Sequence, residues 1–210
     1  MRVLLDWKVK KKLLAEEVVR ILYRRKAILI GEFTLTSGMK SPYYIDLRVI
    51  PSYPLDFDKI CDAYAQMISN EIGSFDKIAG VPTAGIPFAT LIAYKLKKPL
   101  IYVRKRSERL HGRGKLVEGV LLKGERVILV DDVATTGISL LLTAESVINH
   151  GGVVVGGVVL VDREQGAEEN LKSRGIQLYS LVKISSAAKL LFNEGLISKE
   201  CYNKIIGVEL

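Results

Sequence analysis

Cysteine is scarce. Cys61 and Cys201 are the only two in 210 residues, and they lie far apart without metal-ligand spacing. No disulfide framework or thiolate metal site can be built from them, so reduced, buried thiols are expected. Long apolar runs are lacking too. The segment 153–161 is broken by Gly156 and Gly157 and falls far short of a membrane span. The opening MRVLLDWKVKKK is too short and too charged for a secretory signal. A cytoplasmic protein with no membrane partner is expected. No Gly-x-x-x-x-Gly-Lys-Ser/Thr loop occurs, and no Gly-x-Gly-x-x-Gly follows a strand, which sets aside the P-loop and the dinucleotide fingerprint. Repeats, low-complexity tracts, a His/Asp/Glu ligand cluster and a Ser/His/Asp set are likewise missing.

What is present is ordinary in bulk: 49% hydrophobic and 26% charged residues in a chain long enough to bury a sizeable core. One domain over 1–210 is expected, with an N-terminal helix and hood segment at 1–50, a core at 51–185 and C-terminal helices at 186–210. The net charge is +8, from 31 basic and 23 acidic residues. Such a balance fits nucleic acid, an anionic surface or a polyanionic small molecule. Distribution separates these. The basic residues of 8–26 lie on a helical pattern and read as a solvated face, whereas those of 104–115 lie in a loop.

Leu14, Val18, Ile21 and Leu22 predict an amphipathic helix over 9–26. A strand or hairpin with a turn at Ser37-Gly38 follows at 27–42, then an alternating strand at 43–48. Helices are expected at 55–72, 88–96, 138–148 and 167–174, with two short ones from Ser185 and Ser198. Strands are expected at 75–79, 100–103, 127–130, 153–162 and 177–182. This alternation predicts an α/β fold, an open, mainly parallel twisted sheet flanked by helices, with ligands at the strands' carboxyl ends.

The stretch 127–139, VILVDDVATTGIS, organises the rest. Val127 to Val130 form an unbroken apolar run, the pattern of a strand buried on both faces. Asp131 and Asp132 stand at its end, and Ala134, Thr135, Thr136 and Gly137 lead into a helix. A turn that opens a helix directs unpaired N–H groups and the positive end of a dipole at one point, a cup for phosphate. Two adjacent carboxylates are costly unless a hydroxylic or cationic partner meets them, and a ribose diol is such a partner. The bland alternative is a turn capped by Asp. The acid pair followed by Thr-Thr-Gly favours a ribose-5-phosphate site. A second strand, glycine-bearing turn and helix at 80–96 offers another anion cradle, or simply a tight connection. The loop 104–118, RKRSERLHGRGKLVE, gathers Arg104, Lys105, Arg106, Arg109, Arg113 and Lys115 around His111, with Gly112 and Gly114 as joints suited to a closing lid.

The stretch 127–139 resembles the ribose-phosphate motif of type I phosphoribosyltransferases. Together with FTLTSGMKSPYYIDLR at 33–48, GVPTAGIP at 80–87, VRKRSERLHG at 103–112 and VDREQGA at 161–167, it makes the chain resemble the orotate phosphoribosyltransferases over nearly its whole length. The resemblance implies that Asp131 and Asp132 contact the ribose hydroxyls of phosphoribosyl pyrophosphate, and that Val133, Ala134, Thr135, Thr136, Gly137, Ile138 and Ser139 hold its 5-phosphate. Thr83 and Ala84 fall at the pyrophosphate loop. Arg104, Lys105, Arg109 and His111 match a mobile loop that reaches the partner subunit of a homodimer. Lys105, Arg109 and His111 join the two acids as the implied catalytic set. Tyr44, Ile45, Thr135 and Arg163 match orotate contacts. Mg²⁺ is implied as cofactor, held mainly by the substrate's own oxygens. The chain departs from the family pattern in three places. Thr36 stands where many members carry lysine, Thr83-Ala84 replaces a Tyr-Lys pair, and the basic loop is one residue longer, with arginine for the usual lysine.

The implied reaction is transfer of ribose 5-phosphate to orotate, in pyrimidine synthesis. Two rivals remain at this level: transfer to a purine or uracil, which Arg163 disfavours, and a sensor of phosphoribosyl pyrophosphate that contacts nucleic acid. The loop cations fit catalysis better than a nucleic-acid face.

Overall fold

In the computed structural model the described residues are 6–34, 40–104 and 116–207, and they divide into two compact units, one of 1–63 with 182–210 and one of 64–181.

The first unit opens with α1 (Trp7–Arg24), which buries Val18, Val19, Ile21 and Leu22. It starts and stops two residues ahead of the sequence-based expectation. Asp6 caps its N-terminus by accepting from the Lys8 N–H, and Lys26 adopts a left-handed φ of 54° just beyond its end. β1 (Ile28–Thr34) and β2 (Lys40–Ile45) pair antiparallel, with Leu29 opposite Tyr44 and Ile28 opposite Ile45. The strand expected at 43–48 ends early, because Leu47–Ser52 is a 3₁₀ helix. Asp46 caps it, accepting from the Arg48 N–H at 3.1 Å, and so turns the chain out of the strand. α2 (Pro54–Glu71) begins in this unit and ends in the second. Asp56, 5% exposed, accepts from Arg24 Nη2 at 3.1 Å and Arg25 Nε at 2.6 Å, tying the start of α2 to the end of α1. Two helices near the carboxyl terminus, Ile184–Asn193 and Lys199–Ile206, complete the unit. Cys61 is buried as expected, but Cys201 is only half-buried, since it sits on the last helix, which buries no residue fully.

The second unit holds most of a six-stranded sheet. β3 (Lys77–Gly80) leads to α3 (Gly85–Leu96), β4 (Leu100–Val103), the two-residue β5 (Val117–Glu118) and β6 (Arg126–Ala134). Then come α4 (Ile138–Asn149), β7 (Val153–Asp162), α5 (Ala167–Lys172) and β8 (Leu178–Lys183). The spatial order is β5-β4-β3-β6-β7-β8, parallel at β4-β3-β6-β7 and antiparallel at β5-β4. Val127, Ile128, Leu129 and Val130 are all 0% exposed, as a strand covered on both faces requires. Alternation divides the faces. Ala79, Ile101, Val127, Leu129 and Val159 pack with Leu140, Ala144 and Val147 of α4 and with Ala167 and Leu171 of α5.

Three boundaries differ from expectation for identifiable reasons. α3 starts at Gly85, three residues early, because Pro87 sits in the first turn, where its missing N–H costs nothing. β5 lies in what reads as unstructured basic loop. Its two residues pair with Tyr102 and Val103, and Arg104 N–H donates to Leu116 O at 2.8 Å, which pins the two ends of the loop together. β6 runs four residues past Val130, because β7 continues beside it as far as Asp162 opposite Ala134.

Candidate active site

The sheet order places the site. From β3 the chain moves outward to β4 and β5, while from β6 it moves the other way to β7 and β8, so the winding reverses between β3 and β6. Crossover connections diverge at such a point and leave a crevice at the strands' carboxyl ends. Both glycine-bearing turns noted in the sequence open there. β3 stops at Gly80, and the Val81 N–H makes a last bond to Val130 O at 3.0 Å. Beyond Val130, β6 keeps only β7 as a registered strand neighbour. Asp131 and Asp132 therefore stand inside the strand rather than after it, at the place where β3 has ended.

Their environments differ. Asp131 is 7% exposed, while Asp132 is half-buried. Burial first, and the neighbouring Asp132 charge second, push the Asp131 carboxyl well above the ordinary carboxylate range. Asp131 Oδ1 accepts from the Asp132 N–H at 2.9 Å, and Asp132 Oδ1 from the Val133 N–H at 2.9 Å. The wholly buried Tyr64 donates its hydroxyl to the Asp131 carbonyl oxygen and packs its ring 6.4 Å from that of Phe88. Gly85 presses on the same residue: a Cβ there would lie 2.5 Å from Val130 O and 2.9 Å from Asp131 Oδ1. Neither Tyr64 nor Gly85 stands out in the sequence, because the Asp131 they touch lies 67 and 46 positions away.

After the acids, Val133 and Thr135 are half-buried, Ala134 is buried, and Thr136, Ile138 and Ser139 are exposed. Gly137 caps α4 with a left-handed φ of 78°, and Leu171 Cδ1 occupies the place a side chain would take. The turn is held from behind. Thr136 O accepts from Asn170 Nδ2 at 2.9 Å, and Leu141 N–H donates to Gly137 O at 3.0 Å. The N–H groups of Ile138 and Ser139, in the first turn of α4, have no carbonyl one turn behind them within the helix. An anion would meet those N–H groups and the positive end of the α4 dipole together. Arg163 follows β7, is 8% exposed, and donates its N–H to Ala134 O at 2.9 Å, which brings it beside Thr135.

Across the crevice, Thr83 is exposed and Ala84 half-buried at the start of α3; the Pro82–Thr83 peptide is cis. A cavity of about 350 Å³ opens beside this turn, lined by Thr83, Ile86, Tyr102, Arg104 and Glu118 among others. Arg104 Nη1 lies 3.5 Å from Glu118 Oε1.

The expected residues of the second unit thus converge on one end of the sheet: Thr83, Ala84, Arg104, Asp131 to Ser139, and Arg163. Tyr44 and Ile45 belong to the first unit. There Tyr43 is buried and Tyr44 is half-buried, its ring 5.8 Å from that of Phe33 and its hydroxyl accepting from Arg48 Nη2 at 3.0 Å. Thr36, the Ser37-Gly38 turn, Lys105, Arg109 and His111 lie outside the described residues. Among the described residues no three His, Cys, Asp or Glu side chains cluster to hold a metal ion, and no helix is long and apolar enough to cross a membrane.

A mainly parallel sheet with an acid pair and a helix-opening turn at its switch point has the layout of an α/β phosphoribosyltransferase, and residues 55–181 match the family model of the phosphoribosyl transferase domain. An orotate phosphoribosyltransferase of Staphylothermus marinus is 46% identical over 187 residues, 89% of this chain and 90% of that one. The crystal structure of orotate phosphoribosyltransferase from Aeropyrum pernix superposes with a TM-score of 0.74 at 37% identity, covering 86% of this chain and 99% of that one. Leishmania donovani UMP synthase gives a TM-score of 0.82 at 32% identity over 92% of this chain, which spans only 41% of that longer protein. The chain belongs to the orotate phosphoribosyltransferase family.

Proposed function

We propose that the protein transfers ribose 5-phosphate from phosphoribosyl pyrophosphate to orotate, forming orotidine 5′-phosphate and pyrophosphate in pyrimidine synthesis. The observation that carries this reading is the acid pair and helix-opening turn on β6, in a chain 46% identical to a protein named for that activity.

In the reaction a bond forms from N1 of orotate to the anomeric carbon as the bond to pyrophosphate breaks; the electron pair leaves with pyrophosphate, and the N1 proton is released to solvent. The nucleophile belongs to the substrate, so the chain's task is position and electrostatics. We assign Asp131 and Asp132 to the ribose hydroxyls, where their charge favours positive charge on the ring. The turn 133–139 receives the 5-phosphate. Thr83, Ala84 and Arg104 border the pyrophosphate, and Thr135 and Arg163 meet orotate. Tyr44 and Ile45 as base contacts, and Lys105, Arg109 and His111 as loop cations, rest on the family resemblance alone. So do a homodimer in which that loop reaches the partner's site and a cytoplasmic location.

Mg²⁺, bound with the donor, supplies positive charge at the pyrophosphate oxygens. The two carboxylates are hard oxygen donors suited to that ion, with the substrate providing most of its ligands.

The test mixes the protein with orotate, phosphoribosyl pyrophosphate and Mg²⁺ and follows orotate absorbance. A fall is expected. No change, with consumption of adenine, hypoxanthine or uracil instead, moves the reading to another base. No reaction with any base leaves a binding protein.

A further inference from the structure

We propose that Glu118 is a built-in competitor for the pyrophosphate group: it holds Arg104 when that group is absent and weakens its retention when it is present. This rests on the placement of Arg104 and Thr83 at the pyrophosphate given above.

The geometry starts in the β4–β5 ladder. Glu118 stands directly opposite Tyr102, and Arg104 is two residues further on, one past the end of β4, where its N–H still bonds Leu116 O across the ladder, so Arg104 and Glu118 are diagonal neighbours. Long side chains span that diagonal, and the guanidinium Nη1 lies 3.5 Å from the carboxylate Oε1. Both residues line the cavity, as does Thr83. The pair is loose: 3.5 Å exceeds a charge-assisted hydrogen bond, and the two side chains are 27% and 40% exposed. An ion pair of that kind is weak, and a polyanion carrying several charges displaces one carboxylate from the guanidinium.

The displaced carboxylate does not leave the cavity wall, because its backbone is fixed in β5 by pairing with β4. It then faces the incoming anion across a short gap and opposes it. Arg104 is the cation among the described residues that line this cavity, so a carboxylate that competes for it acts on a counter-charge of the group. A transferase that must release pyrophosphate gains from such opposition: the product leaves more readily, at the cost of weaker donor binding.

A brace role predicts the opposite sign. If Glu118 merely held Arg104 in a productive pose, its removal would weaken pyrophosphate binding.

The experiment is calorimetric titration of inorganic pyrophosphate into the wild-type protein, Glu118→Gln, Arg104→Gln and the double variant. Melting curves check that each is folded. The expected result is binding about two- to fivefold tighter in Glu118→Gln, with a lower KM for phosphoribosyl pyrophosphate and stronger product inhibition. In the Arg104→Gln background the gain shrinks. Unchanged or weaker binding in Glu118→Gln overturns the proposal, as does a gain of the same size with Arg104 removed. If Arg104→Gln binds pyrophosphate as tightly as wild type, the placement of Arg104 in the site fails, and this inference with it. Glu118→Ala serves as a second variant, with the same sign expected.

Discussion

Gly85 abuts Asp131. A methyl group on Gly85 would come 2.9 Å from Asp131 Oδ1, 2.8 Å from its Cα and 2.5 Å from the Val130 carbonyl oxygen. Two of these three atoms are backbone or Cα of the central strand and cannot swing aside. The turn after β3 and the acid pair on β6 are therefore one mechanical unit. Gly85→Ala is expected to destabilise the fold by about 1–3 kcal/mol and to lower turnover by shifting the acids. Thermal melting and orotate consumption measure the two effects. Wild-type values in both would mean that the strand yields freely.

Asp131→Asn is expected to separate stability from activity. The folded protein holds this carboxyl above its unfolded value, so its favourable contribution is complete below the unfolded pKa of about 3.9 and is lost as pH rises through the raised folded value. At neutral pH the charge is a burden, and the asparagine variant should melt higher, by roughly 2–4 °C for each kcal/mol recovered in a chain of this size. The gap should close toward acid pH, while turnover falls. A lower melting temperature at pH 7 would contradict the account.

Asp132 is half-buried beside the candidate ribose site, less enclosed than Asp131. Asp132→Asn should leave melting close to wild type and lower turnover by about 3 kcal/mol in the transition state, roughly 100-fold. Lys105→Ala should behave alike if the basic loop assists the leaving group. Full turnover in either variant, measured at saturating substrate, would remove that residue from the reaction.

Asp56 makes the opposite pH prediction from Asp131. Hydrogen bonds from Arg25 and Arg24 hold its carboxyl below the usual range. Its contribution is thus complete above about pH 3.9 and is lost as pH falls through the lower folded value. Asp56→Ala should cost about 1–2 kcal/mol at pH 7, discounted because both arginines remain partly solvated. The difference from wild type should shrink steadily as melts are taken at more acid pH below about 3.9.

Much of this was legible in the chain itself. Strands at Leu100–Val103 and Val153–Asp162 match their apolar patterns to the residue, and in β7 the stretch 156–162 is buried throughout, which a continuous apolar run records. The Thr-Thr-Gly turn was equally plain, since Gly137 needs a left-handed backbone that few other residues adopt. Boundaries were harder where a partner decided them. β6 outruns its apolar stretch because β7 accompanies it to Ala134, and β5 exists only because β4 lies within reach of two residues in a basic segment.

The amino-acid order determined which chemistry was available: an acid pair before a hydroxyl-rich, helix-opening turn, a glycine-bearing turn upstream, and a cluster of cations between. Local periodicity and turn preferences suffice for that, because they act over a few residues. The tertiary structure decided where those pieces meet. It set the reversal of winding between β3 and β6, the burial that makes Asp131 unlike Asp132, and the contacts of Tyr64, Gly85 and Glu118. These depend on strand order and on packing between segments distant in the chain, and a dielectric environment belongs to a packed site rather than to a residue type.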